Sequence, residues 1–171
     1  MAIVRCEGIV LKTHALGDTS LIVVTYTREY GLLKLVAKGA RRTPSRFGFA
    51  LEPLSRSRYV VYHKPDRDLH LVSQAEVIDP VGSRLADLAR LAHAQAALEL
   101  IDRLVWGEEP HAELYDLLAA ALGEVRRSGE ILRVVEAFLK HHFQRFQGLK
   151  SLEMLRSLPG FAAERDAPCP A

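Results

Sequence analysis

The sequence predicts an α+β protein: a small closed β-barrel followed by a helical bundle. Three observations carry that reading. The first eighty residues fall into five short segments rich in Val, Ile, Leu, Tyr and Thr, separated by turn-forming residues. Near Asp79-Pro80 the hydrophobic period changes from that of strands to that of amphipathic helices. The length of 171 residues, with 49% hydrophobic and 26% charged, supports a real core in one large domain or two small ones.

The strand segments are EGIVLKTHAL, SLIVVTYT, GLLKLVAK, SRSRYVVYH and DLHLVSQAEVI. Alternation is clearest in the third and fifth. In the third, Leu33, Leu35 and Ala37 share one face and Lys34 and Lys38 the other. In the fifth, Leu69, Leu71, Ala75 and Val77 are expected on the core face, opposite His70, Gln74 and Glu76. Turns are expected at Leu16-Gly17-Asp18, at Glu29-Tyr30-Gly31 and at Lys64-Pro65-Asp66, with a longer insertion between the third and fourth strands. Five short strands in this arrangement match a five-stranded OB-fold, whose closure removes sticky edges. A five-stranded sandwich fragment or an SH3-like barrel fits the same strand count.

Helices follow. The run Ser83–Trp106 places Leu85, Leu88, Leu91, Leu98, Ile101 and Val105 on a broad apolar stripe, with Ser83 as N-cap. A second helix carries Leu114, Leu117, Leu118, Leu122 and Val125. A third runs from Ile131 through Phe146 and stops at Gly148, and a shorter fourth ends at Pro159-Gly160. Short connections make these a compact bundle. The expected division is 1–79 for the barrel and 80–171 for the helices.

Chemistry of the catalytic kind is hard to find in the pattern. There is no Gly-rich phosphate loop, no Gly-x-Ser-x-Gly elbow and no His-Glu-x-x-His. His141 and His142 are helix neighbours pointing to different faces, and His63 and His70 flank a turn and read as solvent-facing polar residues. Glu108-Glu109 and the pair Asp66 and Asp68 sit in turns, where acids are common. A non-enzymatic role is expected. No stretch approaches the ~18 consecutive apolar residues of a membrane span. Cys6 and Cys169 lie at opposite ends and suggest no disulfide framework, which points to a reducing cytoplasm.

Charge is where the sequence becomes informative. The formal net charge is only +2, but residues 1–80 hold 12 Lys/Arg against 8 Asp/Glu, while 81–171 hold 11 against 13. Residues 28–58 alone hold 8 basic to 2 acidic. Lys38, Arg41, Arg42 and Arg46 cluster in the insertion, with Lys34 on the strand before it and Arg56 and Arg58 on the strand after it. Alternation points each strand pair the same way, so the charge can form a stripe that meets successive phosphates. Phe47 and Phe49 are candidates to stack on bases, against the simpler expectation that they anchor the loop to the barrel. The loops between strands 1–2 and 4–5, which commonly flank an OB ligand face, supply His14, Lys64 and Arg67. Nucleic-acid binding is the favoured reading. A protein scaffold docking an acidic partner, and an RNA-binding OB protein, are the rivals.

The chain carries Gly8-Ile-Val-Leu-Lys12, Gly17-Asp18, Thr27-Arg28-Glu29-Tyr30-Gly31, Ala37-Lys38-Gly39-Ala40-Arg41-Arg42 with Ser45-Arg46 and Leu51-Glu52-Pro53, and Gln74-Ala75-Glu76 near the end of the fifth strand. In these motifs, and above all in Ala37–Arg42, it resembles the RecO family of bacterial recombination mediators. The resemblance is strong across about 75 residues and weaker through the helices. It implies an OB-fold and a helical domain, binding of single- and double-stranded DNA in the cytoplasm at the nucleoid, and annealing of complementary strands. It also implies partnership with RecR and single-strand-binding protein in loading RecA. Family members commonly continue into a four-cysteine zinc module. Here Leu158-Pro159-Gly160-Phe161 is followed by Cys169-Pro170-Ala171, which gives the expectation of a chain cut short, with Cys169 as first zinc ligand of a longer form. One cysteine makes no tetrahedral site, so no metal or other cofactor is expected for this chain.

Overall fold

The computed structural model describes residues 2–80 and 88–125. Its elements are β1 (Ala2–Leu16), β2 (Ser20–Thr27), β3 (Gly31–Ala37), a short 3₁₀ turn (Gly48–Leu51), β4 (Ser55–His63), β5 (His70–Pro80), α1 (Leu88–Leu104) and α2 (Ala112–Val125). The strands close into a barrel in the order β1-β2-β3-β5-β4. The expected OB-type barrel followed by helices is what the chain forms. Ser83 and the third and fourth expected helices lie outside the described residues.

β1 holds the barrel together by serving two neighbours. Its first half pairs with β4 and its second half with β2, and the register shifts between Val10 and Lys12 where the strand bends. Gly8 sits at the crossover. A Cβ there would lie 2.5 Å from Thr25 Oγ1, so only glycine lets β1 approach β2 this closely. β3 and β5 run parallel and close the ring through Leu35↔His70 and Val36↔Leu71.

The interior is filled by Cys6, Val10, Val23, Leu33, Leu35, Tyr59, Val61 and Val72, with Phe47 and Leu51 plugging one end from the 3₁₀ turn. That plug is fixed by polar bonds: Ser57 Oγ and Tyr59 Oη both donate to the Ala50 carbonyl, at 3.0 and 3.1 Å. A second core forms outside the barrel. Ile9, Leu11, Val24, Tyr26 and Leu54 pack against Leu98, Ile101, Val105, Tyr115, Leu118 and Leu122 of the helices. β1 and β2 are therefore buried on both faces, which is why neither alternates cleanly in sequence.

One face assignment is corrected. His70 and Val72 point inward, while Leu69 is 43% exposed and Leu71 lies on the outer face. The register shifts opposite Val60 and Val61, which pair with Gln74 and Val72; Ser73 is the extra residue. The inward phase changes there, so Ala75 and Val77 face the barrel side as expected and Leu69 and Leu71 do not.

Candidate nucleic-acid interface

The insertion after β3 makes a tight turn, with Gly39 at φ +72° and the amides of Ala40 and Arg42 donating to the carbonyls of Ala37 and Gly39. It then leans on the β1–β2 turn. The Arg41 amide donates to the Thr19 carbonyl at 3.0 Å, and its guanidinium Nη1 to the Gly17 carbonyl at 2.9 Å. Those partners are neutral, so Arg41 is held in place with its charge undiminished. Arg42 and Arg46 are exposed, and the Arg46 guanidinium lies 4.6 Å from the centre of the Phe47 ring.

Lys38 links this loop to a second basic feature. A groove of about 670 Å³ runs across β3, β5 and β4, lined by Val36, Leu69, Leu71 and Tyr62 with Lys38, Lys64 and Arg67 around it. The β4–β5 turn supplies Lys64 and Arg67, and the β3–β5 pairing carries Lys38 to them. Among the described residues no ion pair engages Lys38, Arg42, Arg46, Lys64 or Arg67.

The other expected cations are placed differently. Arg56 turns toward the helices, where its Nε and Nη2 donate to Glu7 Oε1 at 2.6 and 2.5 Å, and Tyr115 Oη donates to the same oxygen at 3.0 Å. Burial opposes its charge, but the Glu7 bonds outweigh that and raise the Arg56 pKa above its ordinary value. Arg58 is exposed beside Glu76 at 3.6 Å. Lys34 lines a smaller cleft with Asp68, Asp102 and Glu108. The single stripe through both strand pairs does not form, because Arg56 is drawn to Glu7 and Lys34 sits among acids. Phe47 is 4% exposed in the barrel core and offers no face to a base, whereas Phe49 is 59% exposed. His14 is exposed on β1.

His63 and His70 are not solvent-facing polar residues. His70 is 1% exposed, stacks on His63 at 4.4 Å, and both rings bond the Glu108 carboxylate at 2.7 Å, one to each oxygen. The Lys64 amide donates to His70 Nδ1 at 3.2 Å, so the ring proton sits on Nε2 and faces Glu108. Burial pushes the Glu108 pKa up, but the bonds from His63 and His70 outweigh it and hold the carboxyl below its usual range. The three side chains bring donor atoms within 4.8 Å of one another, a spacing that could hold a cation. A metal on Nε2 of His70 would need the ring proton on Nδ1, where a donor already points, so the set fits a hydrogen-bonded clamp better than a metal centre. Nothing in the local sequence marks it, because Glu108 is distant from both histidines in the chain. Cys169 lies outside the described residues.

Comparison with known proteins agrees with this architecture. Residues 1–81 match the family model "Recombination protein O N terminal", and residues 85–139 match "Recombination protein O C terminal". The chain is 36% identical to the DNA repair protein RecO of Salinibacter ruber over 121 residues, covering 71% of this chain and 46% of that one. It is 40% identical to the protein of the same description from Bifidobacterium longum subsp. infantis over 129 residues, covering 74% of this chain and 53% of that one. It thus spans about half the length of the curated relatives it matches. With both halves matched in order, and an OB-type barrel carrying the Ala37–Arg42 motif, the chain belongs to the RecO family of DNA repair proteins.

Proposed function

We propose that this chain is the DNA-holding part of a non-enzymatic recombination mediator. Residues 1–79 form the nucleic-acid domain and 80–171 a helical domain suited to protein contacts. In this reading Lys38, Arg41, Arg42 and Arg46, joined by Lys64 and Arg67, neutralise backbone phosphates of single- and double-stranded DNA with little sequence preference. Holding two strands on one basic surface lowers their repulsion and favours annealing. RecR and single-strand-binding protein are the proposed partners in loading RecA.

The observation that supports it most is the division of the barrel's cations. Lys12, Arg28 and Arg56 on the helix side are paired, with Asp102 at 2.6 Å, Asp116 at 3.0 Å and Glu7, and Lys34 lies among acids there, while the cations around the groove and its adjoining loop have no carboxylate partner among the described residues. Unpaired cations gathered around one depression are what a polyanion requires.

The test is affinity for a labelled oligonucleotide across a salt series, comparing the intact chain with a Lys38/Arg42/Arg46→Ala variant. Weaker binding and a slope shallower by up to about two units for single strands support the reading. Equal binding by two folded proteins would sink it and leave an acidic protein as the partner. Matched DNA and RNA oligonucleotides in competition separate the RNA-binding alternative.

A further inference from the structure

The groove floor is an unusual outer barrel surface. Ile3 pairs with Tyr62, Tyr62 with Leu71, and Leu71 with Val36, so four apolar side chains form one row across β1, β4, β5 and β3, of which Tyr62, Leu71 and Val36 line the groove. At the spacing of neighbouring strands this row is roughly 14 Å long. The helices cover a different part of the barrel, the outer face of β1 and β2, and the row stays partly open: Ile3 is 66% exposed, while Tyr62, Leu71 and Val36 are half-buried. A solvated sheet face ordinarily carries polar residues at such positions. The Ser73 register shift is what turns Leu71 outward.

We infer that this row is a subsite for unstacked bases of a single strand, with the Tyr62 ring as the stacking platform. The inference rests on the DNA-binding reading and adds to it a means of telling single strands from duplex. Lys38, Lys64 and Arg67 surround the apolar floor, so phosphates can sit on the rim while a base lies over the ring. A groove of about 670 Å³ is within the usual size of small-ligand sites, roughly 300–1,000 Å³, and accepts a splayed nucleotide. A duplex keeps its bases stacked inside and can use only the rim. Continuity favours nucleic acid over an acidic peptide, because Lys38 belongs both to this rim and to the basic turn that holds Arg41 and Arg42.

The experiment titrates a labelled oligothymidylate and a matched duplex against the intact chain, Tyr62→Phe and Tyr62→Leu, with urea stability recorded for each. Tyr62→Leu should weaken single-strand binding about tenfold and leave duplex binding within about twofold, while Tyr62→Phe matches the parent. Photocrosslinking of a 5-bromouracil single strand to the unmodified protein should map to the peptide bearing Tyr62, an outcome independent of any variant's folding. Equal loss for both DNA forms, or crosslinks confined to residues 38–49, overturns the subsite but leaves the phosphate track standing. Absence of salt-dependent binding by the parent protein removes the DNA reading itself. If Tyr62→Leu abolishes binding of a Glu-rich peptide with an aromatic end and spares the single strand, the groove is a peptide dock and the inference is wrong.

Discussion

Replacing Arg56 with Met should destabilise the protein and leave its grip on nucleic acid unchanged. Met keeps most of the apolar stem but removes both bonds to Glu7, whose carboxylate is 21% exposed and, among the described residues, then retains the bond from Tyr115 Oη. Hydrogen bonds to charged groups contribute about 1.5–3 kcal/mol each way they are measured. Arg56 itself is 38% exposed, so solvent screening reduces the expected loss to about 1–2 kcal/mol. For a chain of this size that is roughly a 2–8 °C fall in melting temperature. Urea denaturation followed by circular dichroism gives the stability change, and the salt series gives the DNA slope. The same two assays on Arg42→Met should give the opposite result: stability within about 0.5 kcal/mol and a slope shallower by about 0.7 for single strands. Arg56→Met with parental stability and a shallower slope would refute the division of cations argued here.

Three further outcomes follow from the packing. Gly31→Ala should cost about 2–4 kcal/mol in urea denaturation, because φ is +64° and the new Cβ would meet the backbone of Glu109, which a flexible side chain cannot relieve; parental stability would mean that the 107–109 loop is not docked on β3. Cys6 is buried, and burial, reinforced by the Glu29 charge, pushes its thiol pKa up to about 12. Maleimide near neutral pH should therefore modify Cys6 only after urea unfolding, as located by peptide mapping, and fast native labelling counts against the barrel core described. Because the Glu108 pKa is lowered on folding, its contribution is complete above the ordinary carboxylate value of 4.5 and is lost as pH falls through the lowered one. The stability gap between the parent and Glu108→Gln should shrink across that acid window, and a gap independent of pH would argue against the His63–Glu108–His70 clamp.

How much of this was legible in the sequence depends on how local each signal is. The five strands follow from segment composition and turn residues, and Leu33, Leu35 and Ala37 are buried as alternation in β3 requires, whereas strand count alone fits a sandwich or another small barrel as well as the closed ring that forms. β5 misled because one extra residue, Ser73, reverses the phase, and a bulge leaves no mark in hydropathy. The basic cluster was visible as composition, but the fate of each cation was not. Arg56 is decided by Glu7 and Tyr115, far away in sequence, and Lys38 meets Lys64 and Arg67 only through the β3–β5 pairing. His70 reads as a turn residue until Glu108 arrives from the α1–α2 connection to satisfy it.

The parallel seam between β3 and β5 has a consequence for motion. Among the described residues, two paired positions close it, against the long antiparallel ladders elsewhere in the barrel. Among the described residues it has the fewest paired positions of any joint in the ring, so it is the joint that opens first. The groove lies directly over that joint, with Val36 on one side and Leu71 on the other. Whatever binds across it acts as a clasp: occupancy lowers the free energy of the shut barrel alone, and the tightness of the ring becomes coupled to whether the groove is filled.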